Sequence, residues 1–239
     1  MKSLSLSLLM LIALPVFGDG NQTITSFSKA KKLLETQIYF DRRETLYCAA
    51  TFDAKKAVSP PDGFVSKSYK NRAKRVEWEH VVPAENFGRN FSEWRDGSDQ
   101  CINSKGRQFK GRACASKVSI EYRYMQSDLY NLFPTIGSVN AKRSNYNFVA
   151  RVDVDSSFGS CKMKIANSKA EPPEGARGRI ARTYLYMDAS YSRYKMSKAQ
   201  LNLMQAWDKL YPVSPWECKR AKRIEKLQGN VNKVMSQRC

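Results

Sequence analysis

The stretch RVEWEHVVPA (residues 75–84) decides how the rest of the chain is read. Its β-branched and aromatic side chains, closed by Pro83, mark a strand and its exit. It also carries His80, the only histidine among 239 residues, directly after the carboxylate of Glu79. One histidine excludes every zinc site built from two or three imidazoles. In a regular strand, neighbouring side chains point to opposite faces. Glu79 and His80 can therefore share a site only if the strand ends or bulges there, and Pro83 makes an early end reasonable. The competing reading is a structural histidine hydrogen-bonded near a strand end.

Charge narrows the candidates. The chain has 41 Lys+Arg against 22 Asp+Glu, a formal net charge of +19. Apolar residues at 42% exclude a disordered chain, so the excess charge sits on a folded body and calls for a polyanionic partner. The basic clusters are spread out: KNRAKR (70–75), KGRQFKGR (105–112), AKRSN (141–145), ARGRIAR (176–182) and CKRAKR (218–223). Each alone is a solvated face; together they predict a basic surface.

Residues 1–18, MKSLSLSLLMLIALPVFG, have one Lys, an apolar run too short to span a bilayer, and a small residue before Asp19. They read as an export signal, with 19–239 as the mature domain. Export puts the six cysteines in an oxidising compartment, where an even number suits complete pairing. Cys101 and Cys114 flank a short basic segment and form the expected local pair. No other stretch is long and apolar enough to span a membrane.

Along the chain, Ser26 caps a helix with Phe27, Ala30, Leu34 and Ile38 on one face. Pro60-Pro61-Asp62-Gly63 is a turn, and Arg89–Lys117 reads as a long loop. Tyr130–Pro134 reads as a short strand, and Thr135 as the cap of a helix from Ile136 to Arg143. A longer helix follows Pro172-Pro173 and runs to about Ala189. Ser197-x-x-Gln200 and Ser214-Pro215-x-Glu217 are capping boxes, and Gly229 is a C-cap. The fold expected is a single α+β domain with a helical C-terminal third, clipped by disulfides.

Phosphodiester hydrolysis needs a base to activate water, a cation on the scissile phosphate and stabilisation of the leaving oxygen. His80 supplies a base, titrating near ~6.5 if unperturbed. A carboxylate with a neutral oxygen ligand suits Mg²⁺. Residue type alone leaves Asn131 and Asn140 open as that second ligand.

EWEHVVPA, MQSDLYNLFPTIGSVNAKRSNYNF (125–148), RGRIARTYLYM (177–187) and WECKRAKRIEKLQGN (216–230) together resemble the bacterial endonuclease I family, across essentially the whole mature chain. The resemblance implies an exported nuclease with a ββα-metal (His-Me finger) motif. It implies that His80 is the general base, that Glu79 is a metal ligand, and that Asn140, after Gly137-Ser138-Val139, is the second ligand. Asn131 is then a buried amide steadying the second strand, and Arg143 a further supporting residue. Where many members carry Met-Glu-Ala-Asp, this chain has Met125-Gln126-Ser127-Asp128, so an amide replaces a carboxylate and Gln126 becomes an outer or phosphate-contacting residue. Arg112 stands nearest to the family arginine that grips the cleaved phosphate, with Arg107 in reserve.

The expected function is a secreted, Mg²⁺-dependent, sequence-nonspecific endonuclease, periplasmic or extracellular and monomeric. Its substrates are double- and single-stranded DNA, with RNA in addition, and the resemblance implies 5′-phosphorylated products. The alternative is a non-enzymatic cationic protein coating DNA or another polyanion. Charge fits both; the Glu-His pair and downstream asparagine favour the enzyme.

Overall fold

The structure, a computed structural model, describes residues 19–239; the export signal read over residues 1–18 lies outside the described residues. Helix α1 (Phe27–Leu33) starts where Ser26 Oγ accepts from the Lys29 amide, and a wider turn carries it on to Ile38. Ala30, Leu34 and Ile38 are buried, while Phe27 stays partly open at the rim. Strands β1 (Thr51–Phe52) and β2 (Val58–Ser59) form a small hairpin, and the short helix α2 (Lys70–Ala73) leads into β3 (Val76–His80).

The residues expected to form one long loop from Arg89 to Lys117 are partly helical. After α3 (Ala84–Gly88) come α4 (Ser92–Arg95), α5 (Arg112–Val118) and α6 (Ile120–Gln126). The Cys101–Cys114 disulfide ties the basic loop before α5 to that helix. Four-residue helices such as α4 are too short for a hydrophobic periodicity to be seen.

Strand β4 (Leu132–Ile136) pairs antiparallel with β3 in unbroken register, from Val76 opposite Ile136 to His80 opposite Leu132. It starts two residues later than expected, because Asp128 caps a single tight turn over Leu129–Asn131. Helix α7 (Gly137–Arg143) follows directly, giving strand, strand, helix. Thr135 is not its cap: it is buried inside β4, and α7 begins without a side-chain cap.

Strands β5 (Asn147–Phe148), β6 (Lys164–Ala166) and β7 (Lys169–Glu171) form a sheet of order β5-β7-β6 that the sequence did not signal. Each is too short to show an alternating pattern. The C-terminal region is helical: α8 (Glu174–Ser190), α9 (Lys198–Leu210), α10 (Pro215–Gln228) and α11 (Lys233–Ser236). Ser197 caps α9, Ser214 and Glu217 form a reciprocal box at α10, and Gly229 ends α10 in the left-handed conformation at φ 84°. The whole is an α+β fold. Among the described residues no helix is long and apolar enough to cross a membrane.

The basic clusters do not all face outward. Arg182 is buried against Glu217 and Asp208, and Arg220 donates to three backbone carbonyls while lying over the Phe133 ring. Arg223 is paired with Asp41. The arginines of 176–182 and 218–223 therefore serve largely as internal fasteners, and the net charge overstates the basic surface.

Cys48–Cys161 spans 113 residues and Cys218–Cys239 anchors the C-terminus to α10. Because loop-closure entropy grows with loop length, the first bridge should matter most. Replacing Cys48 and Cys161 by Ala should lower stability by about 4–5 kcal/mol, against about 3 kcal/mol for the Cys101 and Cys114 pair. Guanidinium unfolding of the two double variants measures this order.

Candidate active site

The β3–β4–α7 unit brings the chemistry together. Glu77, Glu79 and His80 from β3, Asn140 from α7 and Arg112 from the start of α5 line one cleft of about 490 Å³. Phe27 and Lys31 of α1 form one wall, and Lys56, ion-paired with Glu35 at 2.9 Å, also lines the cleft. β3 stops at His80, so Glu79 and His80 both border the cleft although they leave the strand on opposite faces.

His80 is 9% exposed and held on several sides. Its ring packs between Phe27, at 4.9 Å between centroids, and Phe87, at 6.4 Å. Nε2 lies 2.8 Å from the Gln126 carbonyl oxygen. A carbonyl only accepts, so the proton is on Nε2 and the basic lone pair is on Nδ1. Burial, reinforced by the charges of Arg112 and Arg143, pushes the imidazole down to about 3, well below the unperturbed value expected from sequence.

Glu79 is buried, and its Oε1 accepts from Arg143 Nη1 at 2.6 Å and from the Tyr47 hydroxyl at 2.9 Å. Burial raises its carboxyl pKa, with Arg143 and Tyr47 pulling the other way. Arg143 is fully buried and lies 4.4 Å from the Phe148 ring. It also donates to the His80 and Val81 carbonyls at 2.9 and 2.6 Å, holding the exit of β3. Asn131 completes that exit: its Oδ1 accepts from the Val82 amide and its Nδ2 donates to the Val82 carbonyl.

Gln126 is buried, so its side chain is not placed to touch a phosphate. Its Oε1 accepts from Ser116 on α5, and its main-chain oxygen holds His80. Arg112 is exposed at the cleft edge, where its charge acts on both His80 and Tyr122. Arg107 lies outside the cleft lining, on the loop closed by the Ile102–Gln108 bridge.

The donor set fits a hard divalent cation. Among the described residues no hydrogen bond occupies Glu79 Oε2 or Asn140 Oδ1, while the partner atom on each side chain is engaged. Nor do the described residues hold a group of three or more His, Cys, Asp or Glu arranged for a metal. One carboxylate, one amide oxygen and several waters are what Mg²⁺ accepts and what Zn²⁺ does not favour.

Sequence reading passed over Glu77, Arg72 and Tyr47. Arg72 donates to Glu77 through Nε at 2.9 Å and Nη2 at 2.5 Å, and Asn140 Nδ2 donates to Glu77 Oε2 at 3.1 Å. The Glu77-x-Glu79 spacing was a usable signal, since residues two apart share a strand face.

Two outcomes follow for the metal-free protein. The single imidazole resonance should not titrate between pH 8 and 5; a midpoint near 6.5 would mean His80 is open to water. Because the unfolded histidine binds a proton near ~6.5 and the folded one only near about 3, stability is full above that window. It should fall as pH drops through it, by at most about 1.4 kcal/mol per pH unit from this group. Separately, Arg143→Ala strands the Glu79 carboxylate in the interior and should cost about 3–5 kcal/mol, measurable by denaturant unfolding at pH 7.

Residues 34–239 match the family model described as Endonuclease I. A periplasmic deoxyribonuclease of Aeromonas hydrophila is 36% identical over 243 residues, covering 99% of this chain and 94% of the relative. An extracellular deoxyribonuclease of the same organism is 37% identical over 243 residues, covering 99% and 97%. Endonuclease-1 of Buchnera aphidicola subsp. Acyrthosiphon pisum (strain APS) is 36% identical over 225 residues, covering 91% of this chain and 83% of the relative. With the family model spanning most of its length and relatives aligned nearly end to end, the chain belongs to the endonuclease I family.

Proposed function

We propose that the protein is an exported endonuclease that hydrolyses DNA phosphodiester bonds without regard to sequence, leaving 5′-phosphorylated ends. The observation carrying this reading is a neutral histidine whose Nε2 proton is tied to a carbonyl, in one cleft with a free carboxylate oxygen, a free amide oxygen and an arginine. His80 takes a proton from the attacking water on Nδ1. Its orientation is kept by Phe27, Phe87 and the Gln126 carbonyl, so little reorganisation accompanies the transfer. Arg112 grips the cleaved phosphate with its planar fork. Glu79 Oε2 and Asn140 Oδ1 would hold a divalent cation, Mg²⁺ in this reading, which when bound supplies positive charge to the phosphorane and the departing 3′ oxygen.

Lys31, Lys56 and Arg112 around the cleft meet the phosphate backbone, and phosphate contacts position a duplex without reading its bases. A site built this way takes double- and single-stranded DNA, and RNA in addition, because a site that grips the backbone need not consult the sugar. The protein works as a monomer in the periplasm or outside the cell, in accord with three disulfides and with relatives named periplasmic and extracellular.

Supercoiled plasmid should be cut by the purified protein with Mg²⁺ and left intact with EDTA. His80→Ala should slow single-turnover cleavage by ~10²–10⁴-fold while keeping DNA affinity. Asn140→Ala should raise the Mg²⁺ concentration required. A His80→Ala protein cutting at the wild-type rate would remove the base assignment. Intact plasmid under all conditions would favour the cationic coat instead. For the inactive variant, log affinity for unrelated duplexes should fall linearly with log salt, by about 0.9 per contacted phosphate; strong preference for one sequence would contradict backbone binding.

A further inference from the structure

The geometry points to Glu77, held by Arg72, as a positioning residue that decides which atom of the Asn140 amide faces the cleft. An ionised carboxylate only accepts hydrogen bonds, so the Asn140 atom 3.1 Å from Glu77 Oε2 has to be the NH₂. The carbonyl oxygen is thereby turned away from Glu77, on the one side of the amide that can meet a cation. Without that acceptor the amide could rotate by half a turn and present N–H donors to the ion.

Two further features show that the contact is built in. Arg72 binds both oxygens of Glu77, and Arg75 Nη2 approaches Oε1 at 3.4 Å. These guanidinium groups neutralise Glu77 and occupy it, so that it orients Asn140 rather than competing for the metal. Gly137, the first residue of α7, lies against this pair. A Cβ there would come 2.6 Å from the Arg72 carbonyl oxygen and 2.8 Å from Glu77 Oε1. Only glycine lets α7 come close enough to β3 for the amide to reach the carboxylate. Glu77 and Glu79 sit on the same strand face with separate duties, one orienting the amide and the other offering its own oxygen.

This rests on the reading of Asn140 as the amide ligand, and the test separates the two. Mn²⁺ is titrated into the metal-free full-length protein by calorimetry. The proteins compared are wild type, Asn140→Ala, Glu77→Gln and the exchange variant Glu77→Gln/Asn140→Asp, with thermal melts as a check on folding. Asn140→Ala should weaken Mn²⁺ binding. Glu77→Gln should weaken it by about 10–100-fold, the usual effect of losing an outer partner of a ligand. The exchange variant restores a donor–acceptor pair with its polarity reversed and offers the ion a carboxylate, which has no wrong orientation. It should recover most of the lost affinity, and a loss of Mn²⁺ affinity in Glu77→Gln with its melting transition retained is what a merely structural role for Glu77 would not produce. If Asn140→Ala binds Mn²⁺ as wild type does, the ligand reading and this inference fail together. If Asn140→Ala is weakened and Glu77→Gln is not, or if the exchange gives no recovery, the inference alone is overturned.

Discussion

The buried guanidinium of Arg143 is the constraint on which the site depends. A charge fully removed from water must be met by acceptors, or it destabilises the fold by several kcal/mol. Here it is met by Glu79 Oε1 and by the carbonyls of His80 and Val81, with the Phe148 ring against it. These bonds from its two terminal nitrogens join α7 to the end of β3, while Nε has no partner among the described residues. The same bonds consume one oxygen of Glu79 and leave the other toward the cleft. A structural requirement and a chemical one are therefore met by the same carboxylate.

A second principle runs through the site: each polar group near the reacting position has one end fixed by a partner that permits a single orientation. His80 is fixed at Nε2 by a carbonyl, Asn140 at Nδ2 by a carboxylate, and Glu79 at Oε1 by a guanidinium and a phenol. The three side chains line the same cleft. Preorganisation of this kind lowers the reorganisation needed on binding and reaction. The dry surroundings of His80 hold its imidazole pKa down, so Nδ1 carries no proton across the physiological range, although a base shifted that far below the working pH drives proton transfer less strongly.

The charge of the chain divides into two populations. Arg143, Arg182 and Arg220 lie inside and knit the helices through carbonyls, carboxylates and ring faces. Lys31, Lys56 and Arg112 stand at the cleft. Arginine suits the interior task because its fork saturates several acceptors at once, and at the cleft the fork of Arg112 is joined by lysines, flexible point charges that follow a phosphate backbone. A count of basic residues cannot separate these populations; burial does.

Much was legible in the residues alone. Ser26, Ser197, the Ser214–Glu217 box and Gly229 announced their helix ends because capping is a local exchange of hydrogen bonds within a few residues. The strand at 76–80, the helix ending at Arg143 and the solitary His80 beside Glu79 were readable for the same local reason. The short sheets at 51–59 and 147–171 and the helices within 89–118 were not, since segments of two to seven residues carry too little periodicity to read. What only the tertiary structure decided is who meets whom at long range. Glu79 finds Arg143 across 64 residues, Asn140 finds Glu77 across 63, and Cys48 finds Cys161 across 113. Composition and spacing nominate the partners. The choice among them is made when the chain packs and each buried charge or amide must be given an acceptor or donor, and no local rule contains that choice.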